Sequence, residues 1–411
     1  MPAYSGKFQY LDAGGAPIQQ GACEITFNPT ACALTPAAGT PVAFDLGDVD
    51  VVAPGEWDLA LRLYTGRQIQ LRQFGPAFGR LCEELLGAWR NRTVECLLLE
   101  DLKEVARFQA AVNGTPAEIR IFGSNLAVLP LGGQAIGWRL AEIDSIAFDE
   151  STYTFQLASG AGRLAIAKLA RKTEEFGETL RATADALRRR SSELLRETFP
   201  FLDTGQLQRL AALAPEGRSV NLAALSAVHP KLPQALVERV VDQALKPYFE
   251  SLRARAAAEA LITGFKFVRP EESAASPAED PPAGEAADAR QPVIFWFFFP
   301  LAGRDIVAWE ATSGGRATYF FRAAPPVAES VARLTRGLAQ VNFRREPVYL
   351  SEAALEQEAR LHRYAIGRRK LPELNALRAA FLDRAIHSSV EAWEQQVALV
   401  GEKPQPIRTA G

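Results

Sequence analysis

The chain has 411 residues, 48% apolar and 23% charged, with a formal net charge of -2. That length allows about two to four domains with sizeable cores, in proportions ordinary for a globular protein. The near-neutral balance excludes a chain devoted to coating nucleic acid, and leaves only local patches for polyanions.

Taken in chain order, Gly21 to Phe27 and Ala31 to Leu34 are apolar runs split by Asn28-Pro29-Thr30, which predicts strand, turn, strand. Phe44 to Ala53 alternates, with Asp48 and Asp50 on one face and Val49 and Val51 on the other, as a strand does. Pro54-Gly55 turns the chain into Leu59, Leu61 and Leu63, and Gly66 closes a hairpin to Ile69 and Leu71. From Pro76 the period changes: Phe78, Leu81, Leu85, Leu86 and Trp89 recur at helical spacing.

The same pattern then returns. Phe44-Asp-Leu-Gly-Asp-Val-Asp-Val-Val-Ala53 is matched 94 positions later by Trp138-Arg-Leu-Ala-Glu-Ile-Asp-Ser-Ile-Ala147. At that offset Leu59, Leu61, Leu63 and Gly66 fall on Tyr153, Phe155, Leu157 and Gly160; one step further, Ile69 and Leu71 meet Leu164 and Ile166. Ile119, Ile121, Leu126 and Val128 open this second copy around Gly123-Ser124-Asn125, and Phe176, Leu180 and Leu187 mark its helix, continuing towards Thr198. Self-similarity of this length means one domain present twice.

Small antiparallel strands closed by one amphipathic helix resemble the pleckstrin-homology-like domain, in its bacterial or GRAM-like form, over roughly the first 192 residues. The resemblance implies split β-barrels at 1–98 and 99–199, and binding rather than catalysis. Lipid-binding members carry cations in the loop between their first two strands, to grip phosphate. The loops read here as equivalent, Asn28-Pro29-Thr30 and Gly123-Ser124-Asn125, have none. Protein partners remain the expectation from the family.

Residues 200–262 read as a helical connector, and 263–401 as a C-terminal α+β domain with an antiparallel meander. The stretch 270–291 is rich in Ala, Pro, Glu and Asp without an aromatic, which predicts a disordered acidic loop. Val293 to Phe299 carries five aromatics that need cover on both faces, so it is expected to be a central strand. Helices are expected from Val327, Glu352 and Pro372. The fold class is therefore α+β.

No catalytic constellation stands out. Asp203-Thr204-Gly205 imitates an aspartic-protease loop, but a helix follows it, and Asp203 as N-cap accounts for it. His229, His362 and His387 form no triad or metal pattern and are expected in solvated or capping roles. Cys23, Cys32, Cys82 and Cys96 lack zinc spacing, which suggests free thiols in a cytoplasmic protein with no metal or cofactor. No signal peptide is apparent. The apolar run ending at Pro300 falls far short of the about 20 residues of a membrane-spanning helix.

Charge marks the candidate contact sites. Arg188, Arg189 and Arg190 form one basic cluster; Arg360, Arg363, Arg368, Arg369 and Lys370 form another. Asp45, Asp48 and Asp50, with Glu56 and Asp58, make an acidic edge, and Arg139 replaces Asp45 in the second copy. These features suit a non-enzymatic adaptor or scaffold subunit of a larger bacterial assembly. The alternatives are a peripheral protein on anionic lipid, or an accessory nucleic-acid binder.

Overall fold

The computed structural model describes residues 3–97, 103–160, 162–257, 260–268, 293–312, 316–358 and 360–400. The acidic loop expected at 270–291 lies outside them. The chain forms two compact units: Met1–Asp185 with Glu352–Leu371, and Ala186–Ser351 with Pro372–Gly411.

The first unit holds both sequence repeats. The first repeat comprises β1 (Ala3–Leu11), β2 (Pro17–Phe27), β3 (Ala31–Pro36), β4 (Val42–Asp45), β5 (Val49–Pro54), β6 (Asp58–Leu63), β7 (Gln68–Arg72) and α1 (Phe78–Cys96). The second has β8 (Glu104–Val112), β9 (Thr115–Phe122), β10 (Asn125–Pro130), β11 (Ile136–Arg139), β12 (Ile143–Asp149), β13 (Thr154–Ser159), β14 (Gly162–Ala167) and α2 (Thr173–Thr198). Each set of strands makes one seven-stranded antiparallel sheet, in the orders β4-β3-β2-β1-β7-β6-β5 and β11-β10-β9-β8-β14-β13-β12. The two orders are identical, so the duplication in sequence is a duplication in structure.

Alternation explains how the sheet of the first repeat buries one face. Leu59, Leu61, Ile69 and Leu71 are each no more than 1% exposed, and Phe78, Leu81, Leu85 and Trp89 of α1 close over them. Trp89 Nε1 donates to the Val49 carbonyl at 3.0 Å, tying the helix to β5.

Three expectations need correction. Each repeat opens with a strand that the apolar runs did not announce, β1 and β8: Ser5, Gly6 and Lys7 interrupt the buried Tyr4, Phe8 and Tyr10 of β1, and β8 buries one aromatic, Phe108, among alanines and Val112. The true first loops are therefore Asp12–Ala16 and Asn113–Gly114, and these too lack a cation. Phe44–Ala53 is not one strand: a 3₁₀ turn, Leu46–Asp48, separates β4 from β5, and Leu140–Glu142 does the same in the second repeat. Asp45 fixes the first turn by accepting from the Gly47 amide at 2.7 Å.

The division between the units falls inside α2, and Leu195 at its far end joins the core of the second unit together with Phe199. That unit contains α3 (Thr204–Leu213), β15 (Val220–Asn221), α4 (Leu232–Val240), α5 (Lys246–Arg255), β16 (Ile262–Phe267), β17 (Val293–Pro300), β18 (Ile306–Ala311), β19 (Ala317–Arg322), α6 (Val327–Gln340) and α7 (Glu346–Tyr349). After α8 (Glu352–Gln357) and α9 (His362–Lys370), which belong to the first unit, it resumes with α10 (Pro372–Ala380), β20 (Phe381–Ile386) and α11 (Val390–Leu399). Its sheet runs β15-β16-β17-β18-β19-β20. This sequential order differs from that of the two repeats.

Strand β17 is central, as its composition demands: Trp296, Phe297, Phe298 and Phe299 are fully buried. Phe249 of α5 meets Phe297 and Phe299 edge-on at 4.9 and 5.0 Å, while Trp296 lies against Phe343 at 4.4 Å. Asp203 caps α3 in a full capping box with Gln206, so the protease-like tripeptide is a helix start.

A charged corner and an aromatic cleft as candidate functional sites

Two of the charged clusters meet within the first unit. Arg369 Nη1 lies 2.6 Å from Asp48 Oδ1, and Lys370 Nζ lies 3.0 Å from both Asp50 Oδ1 and the Val49 carbonyl oxygen. His362 Nε2 stands 3.7 Å from Asp45 Oδ2, while Asp45 takes two hydrogen bonds of 2.8 Å from Arg92 of α1. Helix α9 thus sits with its basic end on the acidic turn before β5, the placement that a helix dipole favours for cations. Burial pushes the Asp48 carboxyl up from its ordinary range, with Arg369 pulling the other way.

The remaining cations of the cluster are also engaged. Arg369 has a second carboxylate, Glu356, at 2.7 Å and covers the Tyr64 ring at 4.2 Å. Arg368 pairs with Glu352 at 2.6 Å and Arg360 with Glu358 at 3.0 Å; Arg363 lies over Tyr364. Of the first basic cluster, Arg188 and Arg189 are exposed on α2, whereas Arg190 lies 3.6 Å above the Phe267 ring. Burial lowers the pKa of Arg190 against the pull of Glu216.

The histidines differ from expectation at one position. His229 Nδ1 accepts from the Lys231 amide, a local capping role, but His387 is neither solvated nor a cap. Its side chain is 6% exposed, stacked on Tyr248 at 4.1 Å and hydrogen-bonded to Thr318, which also serves buried Glu310 and Trp393. Among the described residues no group of His, Cys, Asp and Glu has the arrangement of a metal site.

The second feature was not anticipated. A cleft of about 520 Å³ opens on the first repeat between the β5–β6 hairpin and the connection from β7 to α1, within the size range of small binding pockets. Phe74 and Phe78 form its buried floor, and Glu56, Trp57 and Asp58 stand at its edge with Arg72. Trp57 is 70% exposed, the most exposed large apolar side chain among the described residues. The floor is fixed from below, since a Cβ on Gly6 of β1 would come within 2.7 Å of the Phe74 ring.

The backbone that shapes the cleft occurs twice. Gln73 and Gly75 have φ of 60° and 55°; Lys168 and Ala170, at the same place before α2, have 59° and 51°. This left-handed pair is therefore a property of the repeat, not strain peculiar to one site. An apolar residue in a polar turn, Pro54-Gly-Glu-Trp-Asp58, was the signal for the cleft.

Compared with known proteins, the chain gives no significant match to any family model or to any curated protein. Among the described residues no helix is long and apolar enough to cross a membrane.

Proposed function

We propose that the chain is a non-enzymatic, protein-binding adaptor or scaffold subunit of a larger bacterial assembly, built on tandem pleckstrin-homology-like repeats. The pairing of the first strand with the seventh, and the helix closing each sheet, support that architecture. The observation that carries the functional reading is the cleft beside Trp57: apolar floor, exposed aromatic wall and charged rim are the make-up of a protein-recognition pocket.

The pairing of the cations weighs against the polyanion readings. Arg369, Lys370, Arg368 and Arg360 already face carboxylates. Phosphate would have to displace those partners before counterion release gained anything. The cation-free first loops, Asp12–Ala16 and Asn113–Gly114, weigh the same way against a lipid headgroup.

Purification of the tagged chain from its native host is expected to recover a stoichiometric partner, and Trp57→Ala to release it. Recovery of a lone monomer with turnover would overturn the proposal. Flotation with anionic liposomes and mobility shift at two salt concentrations test the rival readings; binding in either, lost on reversal of Arg188 and Arg189, would favour them.

A further inference from the structure

We infer that the cleft beside Trp57 takes a short segment of a partner protein that presents an apolar side chain flanked by lysine or arginine. The inference rests on the protein-binding reading and names the chemistry of the partner. An apolar anchor suits the floor, where Phe74 and Phe78 offer ring surface at the bottom of about 520 Å³. The flanking cations follow from the rim. Glu56 and Asp58 bring two carboxylates to it against the single Arg72 guanidinium, whose Nη2 is directed to the neutral Gln9 and Gln70 side chains at 2.6 and 3.0 Å, so the rim is negative on balance. Between the two carboxylates stands an indole whose exposed face attracts an ammonium or guanidinium group.

The second repeat supplies independent support. Its corresponding hairpin is two residues longer than the sequence match implies, so strand pairing puts Phe155, not Tyr153, at the place of Leu59 and Tyr153 at that of Trp57. It carries Asp149 and Glu150, and Tyr153 is 67% exposed with its ring 6.1 Å from Phe148. Thus an acidic tip with one outward aromatic occurs on the same hairpin of both repeats. These are the two most exposed large apolar side chains among the described residues. Neither is needed to cover its own sheet, so both are presented to solvent.

Trp57 provides its own readout. The other five tryptophans are at most 9% exposed, so water-soluble quenchers reach Trp57 selectively. Three short synthetic peptides decide the matter: a leucine or phenylalanine anchor between lysines, the same anchor between glutamates, and the lysines with serine for the anchor. Only the first is expected to shield Trp57 from acrylamide and shift its emission to the blue. Labelled, that peptide should bind Glu56→Gln/Asp58→Asn about tenfold more weakly, and less tightly as salt rises. Equal binding of the glutamate-flanked or anchorless peptide would overturn the assignment, as would shielding by anionic vesicles or an oligonucleotide. If no peptide binds but Trp57→Ala still strips the native partner, the inference falls and the adaptor reading stands. If the partner is kept, the cleft is not its docking site and the inference falls, and only recovery of a lone chain takes the adaptor reading with it. Trp57→Phe, with an unchanged circular dichroism spectrum, controls for folding.

Discussion

A methyl group on Gly47 would sit 2.7 Å from Cys96 Sγ and 3.1 Å from Ile366 Cδ1 of α9, whereas the matching position in the second repeat is Ala141. Space at Gly47 is what lets α9 close on the turn. Gly47→Ala is therefore expected to cost about 1–3 kcal/mol by overpacking, and to raise amide exchange across Ile366 to Lys370. Ala141→Gly should cost no more than about 1 kcal/mol. Equal effects would show that α9 does not depend on this contact. The thiols make a second residue-scale case. Burial pushes Cys32 and Cys96 up to about 12 from an ordinary 9.0. The unfolded chain then loses these protons first, so their stability contribution is whole below pH 9 and is lost as pH rises towards 12. The slope is about 1.4 kcal/mol per pH unit for each thiol. Urea unfolding across that range should fall less steeply for Cys32→Ala; parallel curves would refute it.

At the scale of elements, α1 and β9 are joined by a buried ionic group that only a folded pair of repeats can satisfy. Glu118, 3% exposed, accepts from Arg90 of α1 at 3.2 Å, from Arg120 at 2.7 Å and from Gln109 at 3.1 Å. Glu118→Ala would leave buried guanidinium groups without their anion, at about 3–5 kcal/mol, while Glu118→Gln keeps part of the hydrogen bonding. Thermal unfolding of the two variants separates these outcomes, and equal melting points would contradict the role given to the charge. How far elements were legible depended on their period. Leu59, Leu61 and Leu63 announced β6, and Val293 to Phe299 announced a central strand, because apolar alternation or an unbroken run has one economical burial. β1 was missed although Tyr4, Phe8 and Tyr10 keep the period, since Ser5, Gly6 and Lys7 dilute it. β20 was missed because Phe381–Ile386 directly follows a helix with no turn residue between them.

For the molecule as a whole, the sequence read correctly that one unit occurs twice, and it flagged Asp48, Asp50, Arg369 and Lys370 as notable charges. It was silent on their meeting, because no local pattern links positions about 320 apart. Of the cleft, the sequence carries only Trp57 in its polar turn: Trp57, Phe74 and Phe78 converge only once β5–β6 and the turn before α1 are placed. What remains for a partner is a pair of repeats whose hairpins carry outward aromatics. The most direct measurement replaces Trp57 with benzoylphenylalanine and irradiates the protein in its native host, with Ile18, 51% exposed on β2, as the control position. If the cleft is the docking site, position 57 will form an adduct with the protein that co-purifies in stoichiometric amount, and position 18 will not. A co-purifying partner that crosslinks equally from both positions, or only from position 18, would contradict the proposal.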